Sequence, residues 1–248
     1  MSYSTWEKTS GGLSCERIFF DSEVEIFKGV LSENTMWRPD IFEIDDRVQM
    51  FLFLNESGYI VTDSKAWNIE DGSFFVPNFK KEEVFIKATD KPLKFVLFRG
   101  HMNEYDVRTY TTYHMMLPRF IRYDKAFSYI EDHSGLAGSA IRTANLVVET
   151  AFGRWFCGLN YGTGGDEFMG EHVHPEYDQW TYALPETDFI YHIGNETRVM
   201  KSGDIVKIPM GTPHSIERTD EGKIKYLWFK CATNGFTIGR DGDMASES

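Results

Sequence analysis

Two segments of the chain collect residue types that could do chemistry. Residues 170–180 read GEHVHPEYDQW and residues 202–217 read SGDIVKIPMGTPHSIE. His172 and His174 are separated by one residue, and on a strand alternate side chains share a face. Two imidazoles on one face can chelate a single metal ion. Pro175 and the polar residues behind it turn the chain, and Gln179 opens the next apolar run. His214 follows Gln179 by 35 residues, beyond a polar hairpin and the run from Gly203 to Pro209. A β-meander brings such positions together across one sheet. His101, His114 and His133 have no partner pattern and read as structural.

The elements that must position these residues are short and β-like. Runs rich in Phe, Tyr, Val and Ile occupy residues 48–54, 59–62, 73–76, 84–88, 95–98, 146–149, 155–161, 180–184, 188–193, 205–208 and 225–230. Gly, Asn, Asp and Pro bound them, as in Asn55-Glu56-Ser57-Gly58 and Gly194-Asn195. Many short strands with recurrent turn signals predict a sandwich or barrel. Helical periodicity is scarce, and its best candidate lies around residues 124–132.

The two halves look like copies. Gln49 is followed by Gly72 after 23 residues and Gln179 by Gly203 after 24, and each Gly leads to a Pro, Pro77 or Pro209. The offset is about half the chain, and self-similarity at a fixed period is an architectural signal. Subtracting it from the histidine positions lands on Phe42 and Ile44, and Glu82 stands where His214 would be. Of the set, the first copy keeps Gln49. An apolar pair cannot hold a divalent cation, so the first barrel is expected to be metal-free. Its Phe74, Phe75 and Phe79 read as core.

Composition excludes several classes. The chain has 248 residues, 42% of them apolar and 15% aromatic, which is ample for a core and argues against disorder or a coiled coil. The longest nearly apolar run has seven residues, 48–54, whereas a membrane-spanning helix needs about 20. The first twelve residues lack a basic segment followed by an apolar one, so no signal peptide is expected. Cys15, Cys157 and Cys231 are odd in number and widely spaced, which suits a reducing, cytoplasmic setting. Acidic residues outnumber basic ones 38 to 26, a balance unsuited to a phosphate backbone. The basic cluster of Arg119, Arg122 and Lys125 is isolated.

The spacing His-x-His-x4-Gln, followed by Gly-x5-Pro-x-Gly-x2-His (Gly203, Pro209, Gly211, His214), resembles the two motifs of the cupin family. The resemblance implies an all-β fold, a tandem double-stranded β-helix (jelly-roll barrel) or bicupin. Residues 1–115 would form a degenerate barrel and residues 116–248 the metal-binding one. It also implies that His172, His174, Gln179 and His214 ligate a divalent transition metal (Mn, Fe, Zn or Ni). Gln179 stands where the family has Glu, Glu186 where it has Gly, and Arg218 where it often has Asn. Glu176 or Asp178 could reach the ion in place of Gln179.

An amide in place of a carboxylate leaves the ion its full charge of +2, which strengthens it as a Lewis acid and disfavours oxidised states. That points to redox-neutral chemistry, a lyase or isomerase acting on a small oxygenated metabolite such as a sugar acid or a hydroxy- or keto-acid. The alternatives are an Fe(II)-dependent dioxygenase and a non-catalytic small-molecule sensor. Tyr161, Tyr191, His192 and Lys230 are the acid–base candidates. Thr181 and Ala183 should share the face of Gln179, and Ile216 that of His214. Trp155, Trp180 and Trp228 could line the cavity or pack in the core. The expected partner is a small-molecule substrate, with neither nucleic acid nor membrane, and the family resemblance implies a homodimer.

Overall fold

Strand burial follows the side-chain alternation that the sequence dictates. Val84–Ala88 alternates buried and half-buried positions, as a strand with one wet face must. Ser73–Val76 is buried throughout, so both of its faces are covered. The computed structural model describes residues 6–8, 11–70, 72–113, 115–130, 140–164, 167–233 and 235. His114 and His133 lie outside them.

The chain forms two compact units. One comprises Met1–Val107 and Met115–Lys125, the other Arg108–His114 and Ala126–Ser248. The first contains β1 (Trp6–Lys8), β2 (Leu13–Phe20), β3 (Val24–Leu31), β4 (Met36–Trp37), β5 (Arg47–Phe53), β6 (Gly58–Thr62), β7 (Ala66–Ile69), β8 (Ser73–Val76), β9 (Val84–Ala88), β10 (Leu93–His101) and β11 (Arg119–Arg122). The second contains β12 (Ser128–Ile130), β13 (Ile141–Phe152), β14 (Trp155–Gly162), β15 (Phe168–His172), β16 (Tyr177–Ala183), β17 (Asp188–Ile193), β18 (Glu196–Lys201), β19 (Ile205–Ile208), β20 (His214–Arg218) and β21 (Lys225–Ala232).

Each unit is an all-β jelly roll of two sheets. The larger sheets run β1-β2-β3-β10-β5-β8-β11 and β12-β13-β14-β21-β16-β19, and the smaller ones β4-β9-β6-β7 and β15-β20-β17-β18. The series β2-β3-β10-β5-β8 has the order of β13-β14-β21-β16-β19, and the two small sheets correspond strand for strand. The repeat seen in the residues is thus a repeat of topology.

The interior of the first unit is apolar, with Phe27, Phe51, Phe53, Phe75, Phe95 and Leu97 among its buried residues. Phe74 and Phe79 are buried as well. Burying each such ring is worth about 1.5–3 kcal/mol. The interior of the second unit holds Phe156, Tyr177, Tyr191, Tyr226 and Trp228.

The helix expected around residues 124–132 does not form. Residues Tyr123–Lys125 make one 3-10 turn, and Ser128–Ile130 pairs with β13; residues 131 and 132 are outside the described residues. Among the described residues the α-helix is instead α1, Glu104–Tyr113. It lacks an apolar stripe but is capped reciprocally. The Asn103 amide donates to Asp106 Oδ2 at 2.9 Å and the Asp106 amide to Asn103 Oδ1 at 3.0 Å. Among the described residues no helix is long and apolar enough to cross a membrane.

Candidate metal centre

The second unit gathers His172, His174 and His214. One ligand atom of each lies within 4.8 Å of those of the others, so the cluster could hold a metal ion. Their ring centroids are 4.2–4.9 Å apart. His172 ends β15 and His214 begins β20, and the two are direct partners across that antiparallel pair. A β-bulge precedes them. Met169 pairs with Ile216, so Met169 and His172 span three residues while Ile216 and His214 span two. The extra residue re-aims His172, and Met169 and His172 both face one cavity despite their opposite parity. His174 lies past the end of β15. Its carbonyl accepts from the Gly211 amide at 2.9 Å, in the turn that Gly211 makes at φ +78°. That φ favours a residue without Cβ.

The Nδ1 atoms are already engaged. His172 Nδ1 is 2.9 Å from the Gly170 carbonyl and His214 Nδ1 is 2.9 Å from the Thr212 carbonyl. A carbonyl can only accept, so both Nδ1 atoms carry a proton, and in the neutral rings both Nε2 atoms carry the lone pair. This arrangement orients imidazoles for a metal ion. His174 Nδ1 lies 2.7 Å from the Tyr177 hydroxyl, which accepts from Lys230 Nζ at 2.9 Å. The chemistry of the donor set therefore fits a divalent ion.

Gln179 lines the same cavity and is 4% exposed, so its amide cannot rely on water. Its Nε2 donates to Thr181 Oγ1 at 3.1 Å and to the Tyr191 hydroxyl at 3.0 Å, which leaves Oε1 as the acceptor. Thr181 shares its face, as strand alternation requires. Asp178, on the other face of β16, accepts from the Met210 amide at 2.8 Å and pairs with Lys207 at 2.9 Å. Neither it nor Glu176 belongs to the histidine cluster or lines the cavity.

The acid–base candidates separate. Lys230 is buried and lines the cavity, with Nζ 4.7 Å from the centroid of Trp228. Tyr191 is buried behind Gln179, and burial pushes its hydroxyl well above the ordinary phenol range. It stays protonated and serves as a hydrogen-bonding group. His192, one residue along, points to the opposite face, where its ring meets Thr197 at 3.1 Å and Glu217 at 3.2 Å. Tyr161 is half-buried near the end of β14, opposite Lys225. Neither His192 nor Tyr161 lines the cavity, and strand parity is the reason in both cases. Of the tryptophans, Trp228 lines the cavity, while Trp155 and Trp180 pack on each other with centroids 6.0 Å apart.

Two residues escape a reading of the motifs, Tyr177 behind His174 and the cavity-lining Asn160. Tyr177 has the strand parity of Gln179, a signal that identifies it as inward-facing. Asn160 carries no local signal, since its partner Trp228 is 68 residues away in the chain. The remaining lining residues are Tyr129, Thr143, Met169 and Tyr226, and the space they enclose is about 20 Å³, room for one or two water-sized groups.

No family model and no curated protein matches the sequence. Solved structures match the fold. A cupin 2 conserved barrel domain protein from Leptotrichia buccalis aligns with TM-score 0.58 and 16% identity over 88% of this chain and 88% of its own. A putative glyoxylate-induced protein from Pseudomonas aeruginosa aligns with TM-score 0.71 and 12% identity over 92% of this chain and 84% of its own. Oxalate decarboxylase from Lactobacillus farciminis, in a formate complex, aligns with TM-score 0.68 and 10% identity over the same shares. At such identities the likeness is one of fold.

Proposed function

We propose that the chain is a bicupin whose second barrel is a metal-dependent, redox-neutral enzyme. It acts as a lyase or isomerase on a small oxygenated metabolite such as a sugar acid or a hydroxy- or keto-acid. One observation carries the reading. His172, His174 and His214 cluster with Nδ1 engaged, beside a cavity that His172, His174 and Gln179 line and that no Asp or Glu among the described residues lines. A divalent ion held by His172, His174, His214 and Gln179 would keep its full charge and supply Lewis acidity toward a bound oxygen. The protein's own groups do the rest. Thr181 and Tyr191 hold the Gln179 amide through their hydroxyls. Tyr177 and Lys230 hold His174. Lys230 Nζ is the cationic group that lines the cavity among the described residues, and the place where a proton is exchanged with the ligand. Mn, Fe, Zn and Ni all suit the donor set. The same reading keeps the protein cytoplasmic and homodimeric.

A second reading, an Fe(II)-dependent dioxygenase, is favoured by the grip of Thr181 and Tyr191 on Gln179, since three imidazoles alone can hold iron with open positions. Turnover of a panel of sugar acids and hydroxy- and keto-acids, run without oxygen and with Mn, Zn or Ni, separates the two. Anaerobic turnover is expected. Strict dependence on oxygen and Fe(II) contradicts the lead reading. Tight ligand binding with no turnover under either condition would make the protein a sensor.

A further inference from the structure

Asn160 is 3% exposed and lines the same cavity as His172 and His174. Its Oδ1 accepts from Trp228 Nε1 at 2.6 Å and from Thr143 Oγ1 at 3.2 Å. An indole N–H can only donate, so the end of the amide facing Trp228 is the oxygen. The NH2 end is thereby fixed as the other, before any ligand arrives. The indole is held in its turn. Trp228 pairs with Gly158, where a Cβ would come within 2.2 Å of the indole Cζ2 and 2.8 Å of the Ala144 carbonyl oxygen. Only a residue without Cβ admits the ring there.

Among the described residues the cavity thus has one amide whose donor end is set by the protein, one lysine and no carboxylate. Fixed N–H donors and a cation in a dry site favour an anionic oxygen. We infer that Asn160 is a binding residue for the carboxylate of a small anionic ligand, with Trp228 and Thr143 as the residues that position it. The inference rests on the proposed metal site for the second charge that the ligand meets. A water-scale space selects the smallest carboxylates, and formate, with three heavy atoms, is the natural probe.

The test is formate titration of the metal-loaded protein, with metal content measured on the same samples. Asn160→Asp keeps the side-chain shape and an acceptor for Trp228 but puts a carboxylate oxygen in place of the donor. It should retain metal and bind formate at least about ten-fold more weakly. Trp228→Phe, which releases the amide, should weaken formate binding several-fold. Retained metal with no formate binding by the unaltered protein, or with equal affinity in Asn160→Asp, overturns the inference and leaves the metal site standing. Absence of metal from the unaltered protein overturns the proposed function. The same formate comparison on metal-free protein then decides the inference: weaker binding by Asn160→Asp supports it, and equal or absent binding overturns it.

Discussion

The two jelly rolls, set in register on Gln49 and Gln179, show how one scaffold can be filled in two ways. Both glutamines are buried on the corresponding strands β5 and β16. Gln49 Oε1 accepts from the Phe42 amide and its Nε2 donates to the Asp40 carbonyl, both at 2.9 Å. The first glutamine therefore ties down a loop. Gln179 binds two hydroxyls, each able to donate or accept. Two residues on, Phe51 faces Leu97 across the sheet, whereas Thr181 faces Trp228. In that register Asn160 corresponds to Gly29, where a Cβ would lie 2.2 Å from the Phe95 ring. The first interior is closed by aromatic rings at positions where the second carries an amide and a hydroxyl. A handful of inward positions, with no change of topology, separates a packed core from a candidate site.

Substitutions can break that comparison, and the largest effect is expected in the packed barrel. Phe51→Ala should lower stability by about 3–5 kcal/mol, the cost of a cavity under a fully buried ring, as read by denaturant unfolding. Metal affinity measured with a competing chelator should stay unchanged, provided the second unit remains folded. Tyr177→Phe should reverse this pattern. It removes the hydroxyl that holds His174 Nδ1 and accepts from Lys230, so metal affinity should fall by about 10–100-fold while unfolding free energy falls by only about 1–3 kcal/mol. Equal affinity in the variant would mean that the hydroxyl does not orient the ring.

The smaller effects sharpen the contrast between the glutamines. Gln49→Ala leaves the Phe42 amide and the Asp40 carbonyl without their side-chain partner, and should cost about 1–3 kcal/mol in unfolding free energy. Its metal content should match that of the unaltered protein. Tyr191→Phe removes one of two hydroxyls on Gln179 and should cost about 1 kcal/mol. Because burial raises the Tyr191 pKa, its hydroxyl stays neutral through ordinary pH, and any stability lost by its ionisation appears only in strong alkali. An unfolding midpoint that shifts near neutral pH in the native protein, and not in Tyr191→Phe, would contradict that assignment.

Much of this architecture is legible in local pattern. The apolar runs at residues 73–76, 84–88, 188–193 and 205–208 coincide with strands, because alternation and turn residues are local properties. Apolar periodicity misplaces the helix because α1 has no apolar stripe and announces itself only through Asn103 and Asp106 at its start. The convergence of His172, His174 and His214 follows from motif spacing, but the bulge after Met169 that aims His172 does not. His192 and Tyr161 differ from Tyr191 and Asn160 by one residue, and a strand reverses its face at each step. Without the register, either member of such a pair is a reasonable candidate. Tyr177–Lys230 and Asn160–Trp228 span 53 and 68 residues, so tertiary pairing alone creates them.

The central claim is that three imidazoles of the second barrel hold one ion, and elemental analysis tests it most directly. Purified protein loaded with Mn or Zn and freed of excess should carry about one ion per chain. His172→Ala and His214→Ala, folded as judged by circular dichroism, should each carry almost none. Equal metal content in the three proteins would contradict the account.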